Sequence, residues 1–410
     1  MTVPPCRSCG SFDVETVLSL GKTPLANSLV APEHLDEPEP TFPLDLAFCA
    51  GCSLVQITET VPPDVLFRDY VYFSSYSDTM LRHATALADE LVAERDLGPE
   101  SLVVEAASND GYLLGFYRER GVRVLGIEPA RNVAAVAEER GIPTIAEFFD
   151  TSLAERLVGE GTRADVFHAH NVLAHVAGLN DFVAALAKLL VEDGIAVIEV
   201  PYVKDMLDRC EFDTIYHEHL CYFSVAALDT LVRRHGLELV DVGRVPIHGG
   251  SLRLRVAHEG ASEPTPPVSE LLAEEQRWGV SDVETYRAFA AKVHRLEGEL
   301  VGLLQSLRSS GARIAGYGAA AKGSTLLNVF HIGPETVEFV VDRSTQKQGR
   351  YMPGVRIPIA PPDRLLTEMP DYVLLLAWNL ADEVVAQQAD YRARGGRFIV
   401  PVPVPEVLDP

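Results

Sequence analysis

The segment 212–224 reads FDTIYHEHLCYFS and sets Tyr216, His217, Glu218 and His219 in consecutive positions. A lone histidine is most often structural, but four ionisable side chains in a row with aromatic flanks are hard to explain by packing. A metal site is one reading, yet HEH lacks the HExxH spacing that puts two imidazoles on one helix face. A general acid/base cluster fits better. In it His219 takes a proton near neutral pH, and Tyr216 or Glu218 orients it or shares the transfer. Nucleophilic catalysis has weaker support, since there is no GxSxG and Cys221 has no evident role beyond burial. Seven of the 12 histidines fall between His168 and His248, near the ends of expected strands, where α/β sheets place their ligand crevices.

The cysteines carry a second chemistry. Cys6 with Cys9 and Cys49 with Cys52 form two CxxC pairs, and two such turns complete a tetrahedral zinc site. Four thiolates leave no open position, so the zinc is structural; the bland alternative is four reduced core cysteines. Cys210 and Cys221 complete the set, which is that of a reducing compartment and not of a disulfide framework.

Two glycine-bearing turns could each hold a nucleotide. The first, EAASNDG, lacks GxGxxG spacing, and Glu128 after the next strand could accept hydrogen bonds from both hydroxyls of a ribose. A ligand without a pyrophosphate needs no glycine cradle, so this turn suits S-adenosylmethionine better than NAD. At the second, Gly316, Gly318 and Ala321 fit GxGxxG/A, Lys322 adds a counter-charge and Asp342 follows further on, close to the NAD fingerprint. The alternative there is a glycine needed only for tight strand-to-helix packing.

The elements that must position these groups alternate between strand and helix. Apolar runs beginning at Leu102, Val122, Ala164 and Ile195 read as strands with helices between them, giving a parallel α/β sheet. The Pro-rich acidic stretch 259–270 reads as a linker. Ser281 with Glu284 then reads as a capping box opening one long amphipathic helix with Tyr286, Phe289, Val293, Leu296, Leu300, Leu303 and Leu307 on its apolar stripe. A second βαβ unit follows, ending its second strand at Asp342.

The 410 residues predict two to three domains, and 47% hydrophobic with 23% charged residues excludes disorder and a membrane bundle. With 35 basic against 59 acidic residues the formal net charge is -24. That field disfavours nucleic acid and anionic membrane surfaces. No targeting segment or spanning run is visible, so the expectation is a cytoplasmic protein, monomer or dimer.

The four cysteines together with YVYFSSYSD (70–78), VEAASNDGYLL, GIEPARN, HNVLAHV, EVPY, FDTIYHEHLCYFS, VPIHGGSLR, GYGAAAKGSTLLN, VVDRSTQKQGRYMPG and LLLAWN resemble the zinc-containing, S-adenosylmethionine-dependent sugar C-3-methyltransferases, of mycarose and tetronitrose type. The resemblance runs the whole chain in order. It implies a zinc-binding domain over 1–80, a Rossmann-like class I methyltransferase domain over 81–265 and a second Rossmann-like α/β domain over 266–410. It implies a TDP-linked 4-keto-deoxysugar of antibiotic biosynthesis as substrate, with the C-3 proton removed and the enolate taking the methyl group. On matching positions His219 would be the base, with Tyr216 and Glu218 beside it, and His175 and Tyr72 would line the sugar pocket. The cofactor would meet Glu105, Ala107, Ser108, Asn109, Gly111, Glu128, Pro129, Asn132, Asn171 and His175. The TDP-sugar would meet Tyr72, Ser74, His248, Gly250, Ser251, Lys322, Asp342, Arg343, Trp378 and Asn379, with Lys322, Arg343 and Arg253 as the cations available to an anion. Ala107 stands where many methyltransferases have glycine. A different methyl acceptor, an NAD-dependent oxidoreductase using the GYGAAA turn and a non-catalytic sugar-nucleotide scaffold are the competing readings.

Overall fold

A computed structural model describes residues 3–67, 75, 78–247 and 249–409, so Tyr72, Ser74 and His248 lie outside the described residues. The fold is α/β and is organised around three sheets. The first is antiparallel, with strands Val14–Thr23, Phe42–Cys49, Val55–Ile57 and, from much later in the chain, Cys221–Tyr222. That last strand belongs to the YHEHLCYFS motif. The sheet beside the cysteines is therefore completed by the acid/base segment itself.

The central sheet has seven strands in the order Leu237–Val245, Ser251–His258, Leu190–Pro201, Ala164–His170, Leu102–Ala106, Arg123–Ile127 and Thr144–Ile145. The last five are parallel, as the strand pattern requires; the first two form an antiparallel hairpin that extends one edge. The hairpin escapes a reading built on strand–helix alternation, because it has no helix between its strands.

A third sheet of six strands holds the C-terminal unit, with parallel strands Ile314–Tyr317, Val340–Val341, Ile359–Ala360, Tyr372–Leu375 and Arg397–Val400 and one antiparallel edge strand, Glu406–Leu408. The long helix runs Val283–Ser309 and buries Tyr286, Phe289, Val293, Leu296, Leu300 and Leu304. Leu304 takes the buried place expected of Leu303, which is only partly buried. Tyr286 stacks on Phe48 of the first sheet at 4.4 Å, so this helix links the cysteine-bearing end to the C-terminal unit.

Two local expectations change. The N-cap of the long helix is Asp282, whose carboxylate accepts from the Glu284 amide at 3.0 Å; Ser281 instead faces Ser53 at 3.3 Å. The 259–270 stretch is not all linker, because Pro266 opens a helix, Pro266–Trp278, at its first turn, where a missing N–H costs nothing.

Candidate functional site

The cysteines converge. The four Sγ atoms of Cys6, Cys9, Cys49 and Cys52 lie within 4.8 Å of one another, with Cys6–Cys52 and Cys9–Cys49 both at 3.5 Å. A tetrahedron of Zn–S bonds of ~2.3 Å has edges of about 3.8 Å, so the donor set fits zinc and closes around it. The knuckle docks on the central domain, where Asn180 Nδ2 donates to the carbonyls of Arg7 and Ser8 at 2.9 and 2.8 Å. Metal analysis is expected to find one zinc per chain. Two ions, or none, would contradict a single four-thiolate site.

At the first glycine turn the backbone is left-handed at three positions: Ala107 at φ 52°, Asn109 at 51° and Gly111 at 73°. Gly111 is required, since a Cβ there would stand 2.8 Å from Ile142 Cγ1. Ala107 holds a conformation that costs an L-residue about 1–2 kcal/mol. Ala107→Gly is accordingly expected to stabilise the protein by about 0.5–1 kcal/mol, after the larger chain entropy of glycine is offset. Urea denaturation would read it, and a destabilisation would mean that the methyl group packs usefully.

Glu128 braces this turn. One carboxylate oxygen accepts from Asn109 N at 2.9 Å and the other from Ala130 N at 2.8 Å. Each oxygen keeps a second lone pair for a ligand hydroxyl. Burial, then the charges of Glu128 and Asp110, push the carboxyl of Glu105 well above its ordinary range. Asp110 is ion-paired with Arg140 at 2.8 Å, so the acceptor oxygens of Glu128 are the acidic feature this turn offers a ligand, and they suit ribose hydroxyls better than a pyrophosphate. Glu105 Oε2, Ser108 Oγ and Asn171 Oδ1 are buried without a hydrogen-bond partner among the described residues. The pocket's chemistry therefore fits S-adenosylmethionine. Pro129 precedes the helix Arg131–Glu139, which carries Asn132, at the end of the second strand.

Around the acid/base segment the structure sorts the four consecutive groups. His219 Nδ1 lies 2.9 Å from the Thr214 carbonyl oxygen and Nε2 lies 2.8 Å from the Tyr216 hydroxyl. A carbonyl only accepts, so Nδ1 carries the hydrogen and Nε2 is the basic nitrogen. The His175 ring meets that of His219 edge-on at 4.8 Å. Burial holds the His175 imidazole down at about 4, so it is neutral at pH 7. His217 turns away: its Nε2–H donates to the Pro43 carbonyl at 3.1 Å, on the first sheet. Glu218 is held by Asn27 Nδ2 at 2.6 Å, and burial pushes its carboxyl up to about 7.

Beside these lies a network that motif reading passed over. Glu199, 1% exposed, accepts from His83 Nε2 at 2.8 Å and Arg253 Nε at 2.7 Å. His170 and His168 are 3.1 Å apart, and His168 reaches the Tyr117 hydroxyl at 2.9 Å. Sequence offers no signal for it, because its members come from five strands or helices and meet only across the sheet. Arg253, expected among the cations free for an anionic ligand, is committed to Glu199.

In the C-terminal unit the oxygens of Asp342 accept from the Ala319 and Ser344 amides, each at 2.8 Å. Lys347 Nζ donates to the Ala319 carbonyl at 2.8 Å. The GYGAAA turn is thus braced by its own chain, as Glu128 braces the first turn. Lys322 Nζ sits 4.5 Å over the Trp378 ring, and Arg343 lies 3.8 Å from Glu383 on the surface. Trp378 and Asn379 form a short 3-10 turn lining a shallow cleft of about 250 Å³. Gly250 precedes and Ser251 opens the edge hairpin's second strand; the Gly250 amide donates to the Ile247 carbonyl at 3.0 Å, and Ser251 Oγ donates to the same oxygen at 2.9 Å. No helix among the described residues is long and apolar enough to cross a membrane.

Three family models match in succession: a zinc binding domain over residues 6–67, a methyltransferase domain over 80–242 and a C-methyltransferase C-terminal domain over 246–403. The C-methyltransferase NovU of Streptomyces niveus is 39% identical over 404 residues, 98% of this chain and 96% of that protein. Among solved structures, magnesium protoporphyrin IX methyltransferase from Synechocystis PCC 6803 with bound SAM is 15% identical, covering 48% of this chain and 89% of its own, at a TM-score of 0.35. The Burkholderia thailandensis 1,6-didemethyltoxoflavin-N1-methyltransferase is 20% identical, covering 43% and 77%, at 0.31. Likeness this slight carries no argument. The full-length relative and the three successive domains do: the chain belongs to the zinc-binding, S-adenosylmethionine-dependent C-methyltransferases.

Proposed function

We propose that the protein methylates C-3 of a TDP-linked 4-keto-deoxysugar through an enolate, with His219 Nε2 as the base. The observation that carries this reading is the fixed tautomer of His219, set by the Thr214 carbonyl on Nδ1 at 2.9 Å. A 4-keto group acidifies the neighbouring C–H bonds, so a neutral imidazole suffices to take the proton. Nε2 gains that proton, the C–H electron pair becomes the enolate C=C bond while the carbonyl π pair moves onto oxygen, and the enolate carbon then forms the new C–C bond as the methyl–sulfur bond breaks, the leaving group being S-adenosylhomocysteine. Bound S-adenosylmethionine supplies a methyl group already activated by its sulfonium charge. The Tyr216 hydroxyl, 2.8 Å from Nε2, steadies the ring and is an O–H donor that can turn to the developing oxyanion once Nε2 is protonated. His175 packs the sugar side as a neutral ring, with Tyr72 as its expected counterpart.

Glu128, Pro129, Asn132 and the 105–111 turn would hold the cofactor, with Asn171 and His175 at its reacting end. Ser74, His248, Gly250 and Ser251 would close over the sugar. Lys322, Asp342, Arg343, Trp378 and Asn379 would meet the TDP portion, within a division at 1–80, 81–265 and 266–410. Incubation with S-adenosylmethionine and TDP-4-keto-6-deoxyglucose, followed by NMR of the product, tests the reading. A new methyl carbon bonded to C-3 is the expected result. A methyl on C-5, the other carbon beside the keto group, would overturn the position while keeping the enolate; a methyl on oxygen would overturn both.

A further inference from the structure

The turn that precedes the acid/base residues is gripped by the C-terminal unit. Phe212, in the 3-10 turn Phe212–Thr214, stacks on Phe330 with ring centroids 4.5 Å apart and planes 22° from parallel. Trp378 Nε1–H donates to Asp213 Oδ2 at 2.6 Å, and Asp213 is 0% exposed. Lys322 lies over the other face of this arrangement, on the Trp378 ring, and its charge favours the ionised forms of both Asp213 and Glu211 against the burial that opposes them. The next residue in the chain is Thr214. Its carbonyl oxygen accepts from His219 Nδ1–H, and the Tyr222 hydroxyl reaches the same oxygen at 3.4 Å.

A hydrogen bond from a single indole thus stands one residue away from the carbonyl that decides which nitrogen of His219 is basic. A small rotation of the turn would move that carbonyl off Nδ1, and a neutral imidazole whose Nδ1–H loses its acceptor redistributes its proton between the two nitrogens. Reacting groups displaced by about 1 Å lose on the order of 100-fold in rate.

We propose that Asp213 is a positioning residue for His219: the Trp378–Asp213 hydrogen bond aims the Thr214 carbonyl at Nδ1 and so keeps the hydrogen on Nδ1 and Nε2 unprotonated. Through this contact the C-terminal unit takes part in proton removal without touching the reacting carbon. The inference rests on the reading of His219 as the base. Its own readout, the tautomer, needs no substrate and no turnover.

The experiment uses full-length protein labelled with 15N-histidine, the His219 signals being those lost in His219→Asn. The expected wild-type spectrum shows protonated Nδ1 and unprotonated Nε2. Trp378→Phe keeps a ring over Lys322 but removes the donor, and Asp213→Ala removes the acceptor. Both are expected to mix the tautomers and to lower kcat about 10- to 100-fold, and Asp213→Ala, at a residue outside the TDP contacts, to change KM for TDP-4-keto-6-deoxyglucose less than about twofold. Asp213→Asn leaves an oxygen for the indole and is expected to keep the tautomer and to hold kcat within about threefold. An unchanged tautomer in Trp378→Phe, or a raised KM at constant kcat in Asp213→Ala, would overturn the proposal. Turnover surviving in His219→Asn would instead remove the base assignment, whatever the tautomer does in the other variants.

Discussion

Replacing His219 by asparagine is expected to lower kcat by about 10³-fold or more while leaving the affinity for S-adenosylhomocysteine within about twofold, the size usual for loss of a general base. The groups around it give the reason. Thr214 orients its Nδ1, Tyr216 faces its Nε2, and its two imidazole neighbours are less suited: His217 donates to Pro43, and burial, by holding His175 down at about 4, makes it a weak base. Glu218 is tied to Asn27. Nothing else among the described residues pairs a basic nitrogen with a fixed orientation at this place. The cofactor turn, 105–111, is built on other elements, so its affinity is expected to survive. Steady-state kinetics beside calorimetric titration of S-adenosylhomocysteine measure the two effects separately. A variant with near-normal kcat would remove His219 as the base, and one that loses both would mean that the residue holds the fold.

The second large effect concerns stability. Glu199→Gln is expected to destabilise the protein by about 3–5 kcal/mol, because removing one member of a buried ionic set strands the others. Glu199 is 1% exposed, while Arg253 and His83 on either side of it are 18% and 13% exposed, so little solvent is at hand to take over their charges. Burial alone would raise the Glu199 carboxyl; His170, the His83 hydrogen bond and Arg253 outweigh it and bring it below its ordinary value of 4.5. The sign follows from that depression. The unfolded chain binds the proton first as pH falls, so the stabilisation is complete above about 4.5 and is lost below it, as pH falls through the folded-state value. Urea denaturation of both proteins at neutral and acidic pH reads this: the gap should be wide at pH 7 and narrow toward pH 3. A gap below about 1 kcal/mol at pH 7 would show that desolvation cancels the pairing, as it does in ion pairs that apolar groups can replace without loss.

The strands at Leu102, Ala164 and Ile195, the long helix and the two CxxC pairs are legible in the chain itself. Each depends on interactions between residues close in sequence: apolar periodicity, turn glycines, and thiols three apart. The same holds for the proposed base and for the first turn, where EAASNDG and Glu128 are joined by one βαβ unit. What is not legible comes from pairings between distant residues. The edge hairpin reads as nothing special until Ser251–His258 pairs with Leu190–Pro201, and only that pairing delivers Arg253 to Glu199. Helix Asp78–Glu94 brings His83 to the same carboxylate from 116 residues away.

The chemical vocabulary was therefore set by the sequence alone: four thiols for one zinc, a histidine proposed for acid/base work, a turn without a glycine cradle followed by an acidic residue suited to a ribose. Tertiary structure decided how those groups are used. It turned His217 and His219, two residues apart, toward a first-sheet carbonyl and the Tyr216 hydroxyl. It withdrew Arg253 from ligand duty and placed Trp378 against Asp213 across 165 residues. A hydrogen bond or ion pair is specified by position and direction in space, and local sequence fixes neither until packing has brought the partners together.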